Sequence, residues 1–188
     1  PARGFRAALA DAEGLAVIAE VKRRSPSKGD LFADLDPATL AGRYAAGDAT
    51  CLSVLTDEEA FGGSPEDLAA ARAAVAQPVL RKDFTVAEGD VYDARAMGAD
   101  AVLLIAAALD DAELADLHAL AVEVGLDALG RQLGADGDAS RDVAHLGGHR
   151  GQPVGCDRDL VSLHAEKVCE HVSDAGFIIH DKNGRAVH

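Results

Sequence analysis

Two lysines and a glutamate close apolar runs in this chain. An ammonium at the end of a buried strand is costly unless it is paired or used in chemistry. Lys82 stands in Pro78-Val79-Leu80-Arg81-Lys82-Asp83-Phe84. Lys22 ends Val17-Ile18-Ala19-Glu20-Val21-Lys22 and leads into Arg23-Arg24-Ser25-Pro26-Ser27-Lys28-Gly29. Glu20 precedes Lys22 by two residues, so on an extended strand the two side chains face one way. Two strand-end ammoniums in a chain of net charge −14 predict a site for an anionic small molecule. A lysine partly withdrawn from water holds its proton less tightly and can donate it near neutral pH, while an ionised Glu20 beside it opposes that shift.

The elements that must position these groups follow a regular rhythm. Val17–Lys22 is a short apolar run. Asp36-Pro37 supplies an N-cap and a proline at the first helical position, opening a helix through Leu40 and Tyr44 that stops near Gly47. Cys51–Thr56 is the next strand, and Ser64-Pro65 repeats the helix entry for a segment carrying Leu68, Ala71 and Val75. Val79–Phe84 is a third strand, Glu88–Met97 a helix ended by Gly98, and Ala101–Ile105 a fourth strand. Asp110–Val124 is a helix with Leu114, Leu117, Leu120 and Ala121 on one face and Gly125 as its stop.

Successive βα units with uniformly apolar strands mean parallel strands covered by helices. No strand is followed by GxGxxG or a Walker-type loop, which removes most of the weight from dinucleotide and nucleotide-phosphate readings. Polar residues gather instead at the C-terminal ends of successive strands: Glu20 and Lys22, then Thr56, then Lys82 and Asp83. A (β/α)8 barrel assembles its active site there, so a barrel is favoured over an open doubly wound sheet.

Composition narrows the function classes. With 188 residues the chain can form one ordinary domain, and with five Phe, two Tyr and no Trp its core must come mainly from Ala, Leu and Val. The acidic balance argues against nucleic acid and against an anionic membrane surface as partners. No apolar run approaches the roughly 20 residues of a membrane span. The start, Pro1-Ala2-Arg3-Gly4-Phe5-Arg6, lacks both a signal-peptide core and a Met, so the true start is expected to lie upstream. Cys51, Cys156 and Cys169 form no CxxC pair, which predicts free thiols and a reducing, cytoplasmic setting. Cys51 is read as a small core residue. Cys156, Cys169 and the nearby histidines have no standard zinc spacing, so no metal is expected.

The rhythm stops near Gly130. Of seven histidines only His118, read as a surface helix residue, comes earlier. Residues 130–155 hold no apolar strand. Val161–Val172 suits one helix and Phe177-Ile178-Ile179 one short strand, with Asn183-Gly184 as a turn. The reading is therefore an N-terminal barrel part over residues 1–129 and a divergent, weakly structured Gly/His-rich tail over 130–188. Such a junction is what a reading-frame shift or chimeric assembly produces.

The quoted stretches closely resemble the indole-3-glycerol phosphate synthase family. Ile18–Gly29, Leu52–Asp57, Phe61-Gly62-Gly63-Ser64, Pro78–Phe84 and Gly98–Ile105 occur in that family's order and near its spacing. The resemblance implies a (β/α)8 TIM barrel and ring closure of an anthranilate-bearing sugar phosphate to the indole, with loss of carbon dioxide and water and without a cofactor. It implies that Lys82 is the general acid, that Lys22 holds the substrate carboxylate with Glu20 beside it, and that Ser25 borders the substrate. It also implies that Phe61, Phe84 and Leu103 wall the aromatic ring. Arg23, Arg24 and Lys28 read as a solvated loop rather than a phosphate clamp.

The match then departs. After Leu129 the family carries an apolar residue and a glutamate general base, where this chain has Gly130-Arg131, and arginine accepts no proton. Gly155-Cys156-Asp157-Arg158-Asp159-Leu160 faintly resembles a later substrate-binding strand end, with Arg158 in register. Nothing resembles the late glycine-rich phosphate loops. About four to five βα units cannot close an eight-stranded barrel. A partial barrel with an irregular tail is expected, able to self-associate through open sheet edges. Three readings stay open: a synthase or its remnant, a non-catalytic half-barrel that binds anionic aromatics, and a related phosphate-handling isomerase, against which the Lys82 motif argues.

Overall fold

A computed structural model describes residues 1–131 apart from 14, 27, 28 and 33, together with 177–180 and 186–187. The chain opens with α1 (Phe5–Asp11) and β1 (Val17–Val21), followed by a small hairpin of β2 (Arg24–Ser25) and β3 (Gly29–Asp30). Next come α2 (Pro37–Ala46), β4 (Cys51–Leu55), a single turn α3 (Glu58–Phe61) and α4 (Pro65–Ala74). The series continues through β5 (Val79–Thr85), α5 (Glu88–Met97), β6 (Ala101–Ile105), α6 (Asp111–Glu123) and β7 (Asp127–Arg131). Two late strands, β8 (Phe177–His180) and β9 (Ala186–Val187), complete the described elements.

The helix ends are set locally, as the sequence predicts. Asp36 accepts from the Thr39 amide at 3.1 Å and Ser64 from the Asp67 amide at 3.2 Å, each with proline at the first helical position. Asp110 caps α6 by accepting from the Ala112 and Glu113 amides, while Glu113 reaches back to the Asp110 amide at 2.9 Å. Gly98 ends α5 at φ 89°, a conformation in which a side chain would be strained.

The main sheet runs in the order β7-β6-β5-β4-β1-β8-β9. β1, β4, β5, β6 and β7 pair in parallel as sequential neighbours, which is the start of a barrel wall. β8 lies antiparallel beside β1, with Ala19 opposite Phe177 and Val17 opposite Ile179, and β9 pairs antiparallel with β8. The short strand predicted at 177–179 is therefore present, and its place is the far edge of β1. Val161–Val172, the Asn183-Gly184 turn and Arg158 lie outside the described residues.

Two apolar layers hold the sheet. Its outer face, with Ala19, Val21, Leu52, Val54, Val79, Val102 and Leu104, packs against Ala41 and Tyr44 of α2, Leu68 and Ala71 of α4, Val91 and Ala94 of α5, and Leu117 and Ala121 of α6. Each fully buried Leu or Val contributes about 1.5–3 kcal/mol relative to an exposed one. The inner face is smaller: Ile18, Cys51, Leu80, Ala101 and Leu103 gather around Phe5 of α1. Helix α1 thus packs through Phe5 against the inner face of the described strands, a role that its short, Ala-rich sequence does not announce. The segment before it is tied down by Asp100, whose carboxylate accepts from the Arg3 amide at 2.7 Å, the Val79 amide at 2.9 Å and Arg72 Nη2 at 2.9 Å. Arg3 also donates to the carbonyls of Val75 and Gln77 at 2.9 Å.

Candidate functional site

Alternation along the strands decides what faces the barrel interior. Glu20 on β1 is in register with Ser53 on β4, Ser53 with Leu80 on β5, and Leu55 with Lys82. Glu20, Ser53 and Lys82 therefore share the inner face, near the C-terminal ends of their strands. There the three predicted groups meet. Lys82 Nζ lies 3.2 Å from Glu20 Oε2, and Lys22 Nζ is bonded to Glu20 Oε1. Glu20 is only 6% exposed, while the lysine side chains stay 22–23% exposed and reach the open side of the cluster.

The electrostatics follow from this geometry. Burial pushes the Glu20 carboxyl up, but the Lys82 and Lys22 ammoniums, with their hydrogen bonds, outweigh it and hold the group below its usual range. Glu20 is accordingly an anion clamped between two cations. Behind it the Tyr44 hydroxyl, fully buried under α2, donates to the Glu20 carbonyl at 2.8 Å and fixes the backbone at that point. Burial pushes the Tyr44 phenol well above its ordinary value, so it stays a donor.

A second polar group locks the end of β5. Arg81 Nη2 bonds Asp83 Oδ2 at 2.9 Å, Arg81 Nε donates to Thr56 Oγ1 at 3.2 Å, and Thr56 Oγ1 donates to Asp83. This group sits where the β5–β6 register shifts between Arg81 and Thr85. It fixes the strand end that presents Lys82. Arg81 stood within the quoted motif, but only its pairing across β4 reveals this role.

The loop after β1 is fastened rather than solvated. Arg23 Nη2 pairs with Asp67 Oδ1 of α4 at 2.8 Å. Arg24 donates to the carbonyls of Glu58, at 2.9 Å, and Glu59. Both arginines were expected to be free in solvent. Their partners lie more than 30 residues away in sequence, which explains the difference. The Gly62-Gly63 pair completes the fastening. Gly62 ends α3 at φ 65°, and a Cβ on Gly63 would collide with the Leu55 carbonyl.

The remaining predicted residues are dispersed. Ser25 is half-buried in β2, at the rim. Leu103 belongs to the inner apolar cluster with Leu80 and Phe5. Phe61, at the end of α3, is half-buried and Phe84 is exposed, and neither joins that cluster. Arg131 ends β7, in register with Ile105 of β6. Cys51 is a buried free thiol whose pKa burial, helped by Asp100 and Asp127, pushes up to about 12, so it is an inert core residue as expected. Sequence reasoning passed over Ser53, although a serine within the apolar run Cys51–Leu55 was the available signal.

No helix among the described residues is long and apolar enough to cross a membrane. Among them, no group of three or more His, Cys, Asp or Glu is arranged to hold a metal ion.

Comparison with known proteins gives a consistent result. The family model described as indole-3-glycerol phosphate synthase matches residues 1–131. An indole-3-glycerol phosphate synthase of Paenarthrobacter aurescens (strain TC1) is 57% identical over 133 residues, covering 69% of this chain and 49% of that protein. One from Nocardioides sp. (strain ATCC BAA-499 / JS614) is 59% identical over 137 residues, covering 66% and 53%. Indole-3-glycerol phosphate synthase 2 of Streptomyces coelicolor is 59% identical over 129 residues, covering 69% and 50%. The chain spans about half the length of these curated relatives. The family fold is a (β/α)8 barrel, and the five parallel strands described above are a part of it. With the family model covering residues 1–131, the chain belongs to the indole-3-glycerol phosphate synthase family.

Proposed function

We propose that this chain carries the carboxylate-binding and proton-donating part of the synthase site. The reaction is ring closure and decarboxylation of 1-(2-carboxyphenylamino)-1-deoxyribulose 5-phosphate to indole-3-glycerol phosphate, in tryptophan biosynthesis. The observation that carries this reading is the Lys22–Glu20–Lys82 cluster on the inner face. Lys22 takes the substrate carboxylate, and Lys82 gives its proton to the carbonyl oxygen as the new carbon–carbon bond forms. Glu20 keeps both ammoniums aimed at one point and charged until a ligand competes for them. Loss of carbon dioxide then returns an electron pair to the ring carbon, and loss of water completes the indole. Leu103 supports the floor under the aromatic ring, Phe61 and Phe84 contribute its walls, and Ser25 closes the rim. Arg158 contributes to holding the substrate.

The base that takes the proton lost with water as the indole forms, and the phosphate loops, are the parts for which this chain offers no match. By sequence Arg131 falls where the family carries its base, and arginine cannot serve there. We therefore propose that the 188-residue chain binds the anionic aromatic end of the substrate but turns over little of it. Calorimetric titration with the substrate tests the binding. Lys22→Met and Lys82→Met each weaken it by about tenfold or more, as expected for loss of a charge-assisted bond, whereas His118→Ala leaves it unchanged. Equal affinity in all four proteins would overturn the assignment.

A second reading, self-association, is favoured by one observation: β7 terminates the main sheet among the described strands. An uncovered strand edge templates pairing with another chain. A concentration-dependent sedimentation coefficient supports this reading, and a constant monomer value refutes it.

A further inference from the structure

Ser53 is 1% exposed, and its enclosed hydroxyl finds no hydrogen-bond partner among the described residues. A buried hydroxyl without a partner is destabilising and needs a reason. Its position supplies one. Ser53 lies on β4 between Glu20 on β1 and Leu80 on β5, in register with both. The Lys82–Glu20 ion pair joins β5 to β1 over β4, and so passes across the Ser53 position. Paired strands lie about 4.8 Å apart, so Glu20 and Ser53 are direct cross-strand neighbours on the inner face.

In the state described, the Glu20 oxygens are already taken, Oε1 by Lys22 and Oε2 by Lys82. An incoming carboxylate competes for the same ammoniums. Once they turn toward the ligand, Glu20 is a buried anion short of donors. Tyr44 cannot help, because its hydroxyl is committed to the Glu20 carbonyl. Among the described residues, the charged and titratable groups around Glu20 are Lys22 beyond its own strand, Lys82 on β5 and Tyr44 on α2, and Ser53 is a neutral donor left in place beside them.

We infer that Ser53 is a positioning residue that donates to Glu20 when an anionic aromatic ligand draws Lys22 and Lys82 away. The inference rests on the proposed reading of the site. Ser53 touches no ligand and acts through Glu20, keeping that carboxylate ionised and aligned while the lysines are engaged.

The test uses the full chain, anthranilate as the probe, and carboxyl-carbon magnetic resonance of Glu20. Without anthranilate, Ser53→Ala leaves the Glu20 titration midpoint unmoved and the Tm unchanged or raised, since the hydroxyl has no bond to lose. With anthranilate, Ser53→Ala weakens binding about fivefold, the worth of one hydrogen bond, and the bound-state Glu20 midpoint rises. Ser53→Cys, close in volume but a weak donor, behaves like Ser53→Ala, and Ser53→Thr restores both readouts. A Ser53→Ala shift of the Glu20 midpoint in the ligand-free protein overturns the inference. So does anthranilate binding that falls with Lys22→Met yet ignores Ser53, and that result leaves the site reading intact. A chain that binds no anthranilate at all overturns both.

Discussion

Lys82 Nζ and Glu20 Oε2 stand 3.2 Å apart although 62 residues separate them, and the contact crosses the intervening strand β4. One buried carboxylate is thereby shared by two ammoniums and ties β1 to β5 at the end of the sheet where the site is built. Removing the carboxylate leaves two facing cations with no counter-charge. Glu20→Gln should lower unfolding free energy by about 2 kcal/mol, less than for a fully enclosed pair because both lysines reach solvent. A double-mutant cycle with Lys82→Met, read by urea denaturation, should return a favourable coupling, and additive effects would contradict it.

The same pair makes stability depend on pH in a defined direction. Burial raises the Glu20 pKa and the two ammoniums lower it further than burial raises it, so the folded value lies below the unfolded one. Its contribution is then fully present above the unfolded carboxylate range and is lost as pH falls through the folded value. Asp67 runs the other way, its pKa raised by burial against the pull of Arg23. Taking the difference between wild type and Glu20→Gln cancels that term. The difference in unfolding free energy should be constant near neutrality and shrink below about pH 4. A difference that grows on acidification would contradict the assigned direction.

Glycines supply a pair of opposite outcomes. Gly63→Ala drives a methyl group into the Leu55 carbonyl, which belongs to the strand backbone and cannot swing aside. The cost should be about 3 kcal/mol or loss of folding. Gly89 lies exposed in the first turn of α5 with open space around it, and Gly89→Ala should stabilise by about 0.5–1 kcal/mol. Thermal melts of the two variants settle both, and equal Tm values would contradict the packing described for Gly63.

Asp100 anchors the N-terminal segment from below. Its carboxylate, 1% exposed, holds the Arg3 amide, the Val79 amide and the Arg72 guanidinium. Asp100→Ala leaves the Arg3 and Val79 amides without their acceptor and takes the counter-charge from Arg72, and should cost about 3 kcal/mol, with amide exchange at Arg3 and Phe5 accelerating more than at Leu117 in α6. Uniform acceleration would mean that α1 is not anchored separately.

Much of this was legible because its causes are local. Asp36-Pro37, Ser64-Pro65 and Gly98 mark helix ends through bonds to residues three or four away, and the structure keeps them. The shared face of Glu20 and Lys22 follows from strand alternation alone. Contacts between distant segments were not legible. Helix α1 owes its place to the pocket that Phe5 fills beneath Leu80 and Leu103. The pairing of Arg23 with Asp67 needed the fold before it could be seen. So did the position of β8, whose apolar run predicts a strand but not that it would lie antiparallel beside β1. Ser53 was readable in principle, as a polar residue on the alternation that places Glu20, and went unremarked because its neighbours are all apolar.

The Lys22–Glu20–Lys82 cluster stands on a partial barrel, and we propose that turnover fails because Arg131 takes the place of the family's base. The direct measurement is steady-state formation of indole-3-glycerol phosphate by the purified 188-residue chain, followed by indole fluorescence. Little or no product is predicted. Turnover near that of a full-length relative, abolished by Lys82→Ala, would contradict it.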